Sequence, residues 1–331
     1  MPPAPRPPPR APGRCLAEPA GRHTVGAVGL LAALLDVIVP VLVVAGIGAL
    51  LGRRFTLDQA TIGKIALNAL TPALCLHTLL TTRVSGREGA HLLGAYLVVV
   101  ALACGVGFLS SMGMPGRTRR GVMVATAIGN NGNMGLPIAL FALGPIGLDQ
   151  SVLIFLGSVI VTFVLAPALF GSADGARGAV RAVLRLPAIW AMAAALVLRA
   201  GGWQLPTGIA RGVELLSQAT LPMILLALGV QLGSSQRVVV TRPIAAAVAG
   251  RILVVPALAL GVGLALGLAA LPLQALVLAA AMPTAVNAFI LAQEYEGDVP
   301  TVAGSVTVST LVSFATVAVV TALLPWVGSL A

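Results

Sequence analysis

Residues 127–138 read AIGNNGNMGLPI. Asn130, Asn131 and Asn133 fall within four residues, followed by Gly135 and Pro137. A carboxamide donates and accepts hydrogen bonds without carrying a fixed charge. Gly loosens a helix, and Pro removes a donor and obstructs the turn before it. The flanks, VMVAT and ALFAL, are apolar. A second stretch, AMPTAVNAFILAQEY, sets Pro283, Thr284 and Asn287 inside another apolar run. An interrupted helix at membrane depth bares peptide groups, which are tolerated only against protein or a water-filled cavity. The new N-terminus favours an anion and the new C-terminus a cation. The chemistry these residues can do is reversible capture of a small solute. The blander reading, Asn as glue between helices, fits one isolated Asn better than three together. Pro40, Pro72, Pro167 and Pro256, taken singly, read as structural kinks.

Arg251 is the charged residue deepest in an apolar run. It lies nine residues past Arg242, or about 13–14 Å along a helix, near half the thickness of the hydrocarbon layer. An intramembrane Arg invites a functional reading; a structural pairing and a substrate contact both stay open. Asn68 and Gln218 join it as groups for charge or coupling. His77 reads as a hydrogen-bonded packing residue. Cys15, Cys75 and Cys104 form no CxxC pair, and His23, His77 and His91 are scattered, so no metal set is expected. The sequence has no phosphate-binding loop and no nucleophile–base pair within apolar runs, so neither ATP coupling in this chain nor an enzyme is expected, and no cofactor. GVGLALG at 261–267 lies in an apolar run and reads as close helix packing.

These groups must be held by membrane-spanning helices. The chain is 58% hydrophobic and 9% charged, with a mean hydropathy of +1.01, far from the composition of a soluble domain. Its net charge of +10 sits in short loops, without the basic stripe and interleaved aromatics of a nucleic-acid binder. Residues 1–28, rich in Pro and Arg, are expected to be a disordered tail. Ten apolar runs follow, near 29–51, 60–81, 90–112, 120–143, 149–171, 183–201, 208–232, 243–270, 272–294 and 301–326, the eighth long enough to include a loop. Pro40 pairs with Pro187, 147 positions on, and Pro72 with Pro222, 150 on; the second pairing sets Asn68 against Gln218. Two nearly equal offsets suggest a repeat. With five helices each, the halves are inverted, 29–171 and 183–331, joined by a short cytoplasmic linker at 172–182. In such an architecture the site lies near the midplane, where two interrupted helices meet the repeat interface.

Loop charges orient the chain. Arg53, Arg54, Lys64, Arg117, Arg119, Arg120, Arg177, Arg181, Arg185, Arg237 and Arg242 fall on one side, and Arg83, Arg87, Arg199 and Arg211 on the other, with Arg6, Arg10, Arg14 and Arg22 of the tail. The richer side is expected in the cytoplasm and both termini outside. Trp203 and Trp326 fall at outer ends of runs, where an aromatic belt would place them.

The motifs GNNGNMGLPIAL and AMPTAVNAFILAQEYEGD, supported by LPAIWAMAAALVLRAGGWQLP, LLSQATLPMILLALGVQL and VSTLVSF, resemble the auxin efflux carrier family over about residues 30–326. That family includes plant auxin carriers and bacterial transporters linked to malonate and related carboxylates. The resemblance implies an all-α polytopic membrane protein with ten transmembrane helices in two inverted five-helix repeats. It implies that spans 4 and 9 cross as broken helices at the substrate site. Asn130, Asn131, Asn133 and Pro137 match the first break of the family; Pro283 and Asn287 match the second. The plant members carry a long loop between halves that is absent here, so regulation through such a loop is not implied.

The expected function is secondary transport of small organic anions, mono- or dicarboxylates, across the plasma membrane by alternating access, with Na⁺ or H⁺ coupling open. The alternatives are a sodium-coupled bile-acid-type symporter of similar architecture and, more remotely, a membrane sensor or signalling subunit. The expected partners are the anion and the bilayer, not nucleic acid, with a homodimer open.

Overall fold

The computed structural model describes residues 34–82, 84–171, 175–233 and 239–331. The expected tail at 1–28, with its arginines, Cys15 and His23, lies outside the described residues, as do Arg83, Arg237 and residues 172–174 of the linker. Regular structure among the described residues is helical, apart from one isolated β-bridge. Among the described residues, seven helices are long and apolar enough to cross a membrane: α1 (Leu35–Arg54), α2 (Thr61–Thr81), α3 (Gly86–Ser110), α5 (Asn131–Phe170), α8 (Thr207–Gly233), α9 (Arg242–Ala265) and α12 (Val299–Gly328). The others are shorter: α4 (Gly116–Ala127), α6 (Gly175–Leu184), α7 (Pro187–Ala200), α10 (Ala270–Ala280) and α11 (Val286–Glu294).

The ten apolar runs therefore do not appear as ten uniform rods. The fourth run is split between α4 and the start of α5, and the ninth between α10 and α11. The second part of the fourth run and all of the fifth lie within α5, whose course is interrupted at Gly144 (φ 69°, ψ −171°) ahead of Pro145. A positive φ suits Gly, and Pro145 has no N–H to continue the helical ladder. The eighth run ends as expected in a turn, with Gly267 at φ 65° between α9 and α10.

Four segments widen to π geometry: Leu34–Ile38, Ala66–Leu70, Asn131–Gly135 and Gly250–Val254. Each is followed two residues later by a proline: Pro40, Pro72, Pro137 and Pro256. The cause is local. The pyrrolidine ring collides with the carbonyl four residues back and offers it no donor, so the preceding turn opens. Three of the prolines read as kinks thus act by widening a turn, whereas Pro167 sits inside α5 without a π segment.

Small residues decide the closest packing. α1 and α8 touch along Ala45, Gly48, Ala49 and Gly52 on one side and Leu226, Gly229, Val230 and Gly233 on the other. A methyl on Gly48 would overlap the Leu226 carbonyl oxygen, and one on Gly229 the Ala45 carbonyl oxygen. Lipid tails are as apolar as Leu, so helices in a bilayer associate by such close approach. In GVGLALG, Gly263 alone is wedged against a neighbour, Leu273 of α10; Gly261 faces open space and Gly267 makes the turn. Large apolar side chains such as Leu50 and Leu215 point outward, as lipid contact requires. The largest buried cluster joins α3, α4, α5 and α9 to α10, α11 and α12 and encloses both helix interruptions.

Candidate substrate site at the crossed helix breaks

α4 ends at Ala127, and Ile128 is extended (φ −93°, ψ 101°). α10 ends at Ala280, and Ala285 is extended (φ −72°, ψ 144°). The two extended stretches pair. Asn130 donates its N–H to the Pro283 carbonyl at 2.7 Å, and Ala285 donates to the Ile128 carbonyl at 2.9 Å, forming an antiparallel bridge between Gly129 and Thr284. Each break thus supplies backbone partners that the other lost by leaving the helix. The Thr284 N–H donates to Ser309 Oγ at 3.0 Å, and its hydroxyl to the Ala125 carbonyl at 2.8 Å. Asn130, Asn131, Pro283, Thr284 and Arg251 come together here, all buried.

The carboxamides divide their work. Asn130 caps the helix after the break: its Oδ1 accepts from the Asn133 N–H at 3.2 Å. Capping with a side-chain oxygen satisfies a donor that the helix start leaves bare. Asn131 Nδ2 donates to the Tyr96 hydroxyl of α3 at 3.2 Å. What remains is a set of buried polar atoms without a protein partner: Asn130 Nδ2, Asn131 Oδ1 and Thr126 Oγ1. Such atoms are costly unless something else binds them. Asn133 is half-buried one turn on, and Asn287 is half-buried in the first turn of α11.

Arg251 lies in the π segment of α9 and is 3% exposed. Its Nε donates to Met282 O at 2.8 Å, its Nη1 to Thr126 O and Ala127 O, each at 3.3 Å, and its Nη2 to Ala279 O at 3.1 Å and Ala280 O at 3.0 Å. All five partners are main-chain carbonyls. These bonds are a structural pairing, made with carbonyls and not with an acid: the guanidinium caps the C-terminal ends of α4 and α10 together. Gly129 makes room for it, since a methyl there would overlap Nη2.

Pro137, Asn68 and Gln218 lie apart from the crossover. Asn68 is exposed and donates to the Lys64 carbonyl of its own helix at 2.9 Å. Pro137 and Gln218 line a cavity of about 890 Å³ between α1, α2, α3, α5 and α8. Its polar wall includes His77, Glu88, Asp149, Gln150 and Ser217. Gln218 Nε2 donates to Glu214 at 3.4 Å, while Gln150 Oε1 is buried without a partner. Sequence reasoning passed over Asp149 and Gln150, although an acid and an amide opening an apolar run just after Gly-Pro were a visible signal. His77, read as a packing residue, faces this cavity. No group of three or more His, Cys, Asp or Glu that could hold a metal gathers among the described residues.

Paired helix breaks deep in an apolar helical protein define a class, the membrane carriers. A family model described as "Membrane transport protein" matches residues 177–321. The chain is 31% identical over 235 residues to a "Putative malonate transporter" of Rhizobium meliloti, spanning 68% of this chain and 72% of the relative. It is 29% identical over 265 residues to an "Uncharacterized transporter" of Methanothermobacter thermautotrophicus, spanning 77% of this chain and 86% of that protein. A transporter of Methanocaldococcus jannaschii is 27% identical over 205 residues, 60% of this chain and 66% of the relative. The chain belongs to this membrane transport family, the auxin efflux carriers, whose members are transporters and not enzymes.

Proposed function

We propose that the chain is a secondary carrier of small organic anions, with mono- and dicarboxylates of malonate size as the substrate class. The observation that carries this reading is the crossover: two helix starts, at Asn131 and Val286, meet beside Asn130 Nδ2, a buried amide donor without a partner. Helix N-termini and amide N–H groups favour a carboxylate and release it more readily than a fixed ion pair would. The relative named for malonate agrees in substrate class. The cavity of about 890 Å³, lined by none of the crossover residues, is of the size that holds small ligands, and in this proposal it is a stage on the substrate's route. Ten spans in two inverted five-helix repeats complete the reading, with α4 plus the start of α5 as one broken span and α10 plus α11 as its counterpart. The loop charges support an orientation with both termini outside; a plasma-membrane location and a homodimer are the remaining parts of the proposal.

The test is labelled malonate flux in proteoliposomes. Asn131→Ala and Asn287→Ala are each expected to lower flux strongly while the purified proteins stay monodisperse. Wild-type flux in both variants removes the proposed site.

A further inference from the structure

We infer that Arg251 makes the crossover an anion site by charge alone, selecting negative solutes without bonding to them. The inference rests on the carboxylate-carrier reading and adds the residue that sets charge preference. The argument is a charge balance. Four helix ends converge: the C-termini of α4 and α10, at Ala127 and Ala280, and the N-termini beginning at Asn131 and Val286. Each N-terminus carries about +0.5 and each C-terminus about −0.5 elementary charge. Four such ends cancel, and by themselves they would prefer neither sign. The Arg251 guanidinium covers both C-termini through Thr126, Ala127, Ala279 and Ala280. Its full positive charge offsets the two negative ends and leaves the two positive ends unopposed.

The five guanidinium bonds end on carbonyls, so a guanidinium with five donors has none to spare for a ligand. Its influence on a solute is therefore through space, and burial keeps that influence from being screened. Gly129 lets the charge sit one residue from Asn130, because any side chain there would displace the guanidinium.

A charge series tests this: malonate, its monoamide malonamate and the neutral diamide malonamide, each as a competitor of labelled malonate uptake and as a thermal-shift ligand. In the wild type, protection is expected to fall in that order. Arg251→Lys keeps the charge with fewer donors and is expected to keep the order, with a lower maximal rate. Arg251→Gln removes the charge; KM for malonate is expected to rise about tenfold while the weak competition by malonamide stays unchanged. An Arg251→Gln protein that loses rate at constant KM and constant order overturns the inference. If that variant does not fold, the wild type still decides, since equal protection by malonamide and malonate overturns it too. A wild type that responds to none of the three sinks the carboxylate reading itself, a result distinct from loss of charge ranking.

Discussion

The two helix breaks at the crossover are built alike and finished differently. In the second break the polar groups at 283–285 are engaged: Pro283 O accepts from Asn130, Thr284 is held at both its N–H and its hydroxyl, and Ala285 donates to Ile128. In the first, Asn130 Nδ2 and Asn131 Oδ1 remain without partners. The second break acts as the brace and the first as the open hand. Pro283 and Ala285 lock backbone to backbone and Thr284 ties to Ser309 and Ala125, whereas Asn130 and Asn131 spend one end of each amide on the fold and keep the other. The unmatched buried donor, Asn130 Nδ2, is the one a carboxylate can satisfy at least desolvation cost.

Substitutions can break or sharpen this contrast. The largest effect is expected from Asn131→Asp. A carboxylate beside a carboxylate site repels the substrate in a poorly screened setting, so malonate flux should fall to the background of empty liposomes. Wild-type flux in this variant would dissolve the distinction between the breaks. Asn131→Ala is next, with a strong loss of flux and little change in melting temperature. Thr284→Val should show the reverse: the lost hydroxyl bond to Ala125 costs about 1 kcal/mol in an unfolding titration, with KM for malonate unchanged. If Thr284→Val raised KM as much as Asn131→Ala, the second break would bind substrate as directly as the first. Asn287→Ala should lower flux less than Asn131→Ala, since Asn287 is only half-buried and the buried unpartnered amide atoms of the two breaks belong to the first. The smallest effect is expected at Asn68→Ala, within about 0.5 kcal/mol in stability and with normal flux, because Asn68 is exposed and bonded to its own helix.

Much of this was legible in residue order. Three Asn beside Gly135 and Pro137, and Pro283 with Asn287, marked where helices would open, because loss of a donor and loss of a Cβ act within one turn. The same locality explains why Pro40, Pro72 and Pro256 each widen the turn before them. The cavity wall was harder to see. His77, Asp149 and Gln218 come from three helices, and no periodicity within one helix announces that such residues face one space. Hydropathy alone also does not show where a run is one helix and where it is two, since it measures greasiness and not continuity.

The sequence by itself determined that this chain enters a membrane, where its helices fail and that carboxamides occupy one failure. Those outcomes follow from transfer energies and local sterics, which depend on neighbours along the chain. Only the tertiary structure decided that Gly129 would meet Thr284, 155 residues later, and that Arg251 would cap two helices at once. A hydrogen bond or a buried charge is settled by which groups are near in space, and that proximity exists only once the helices have packed.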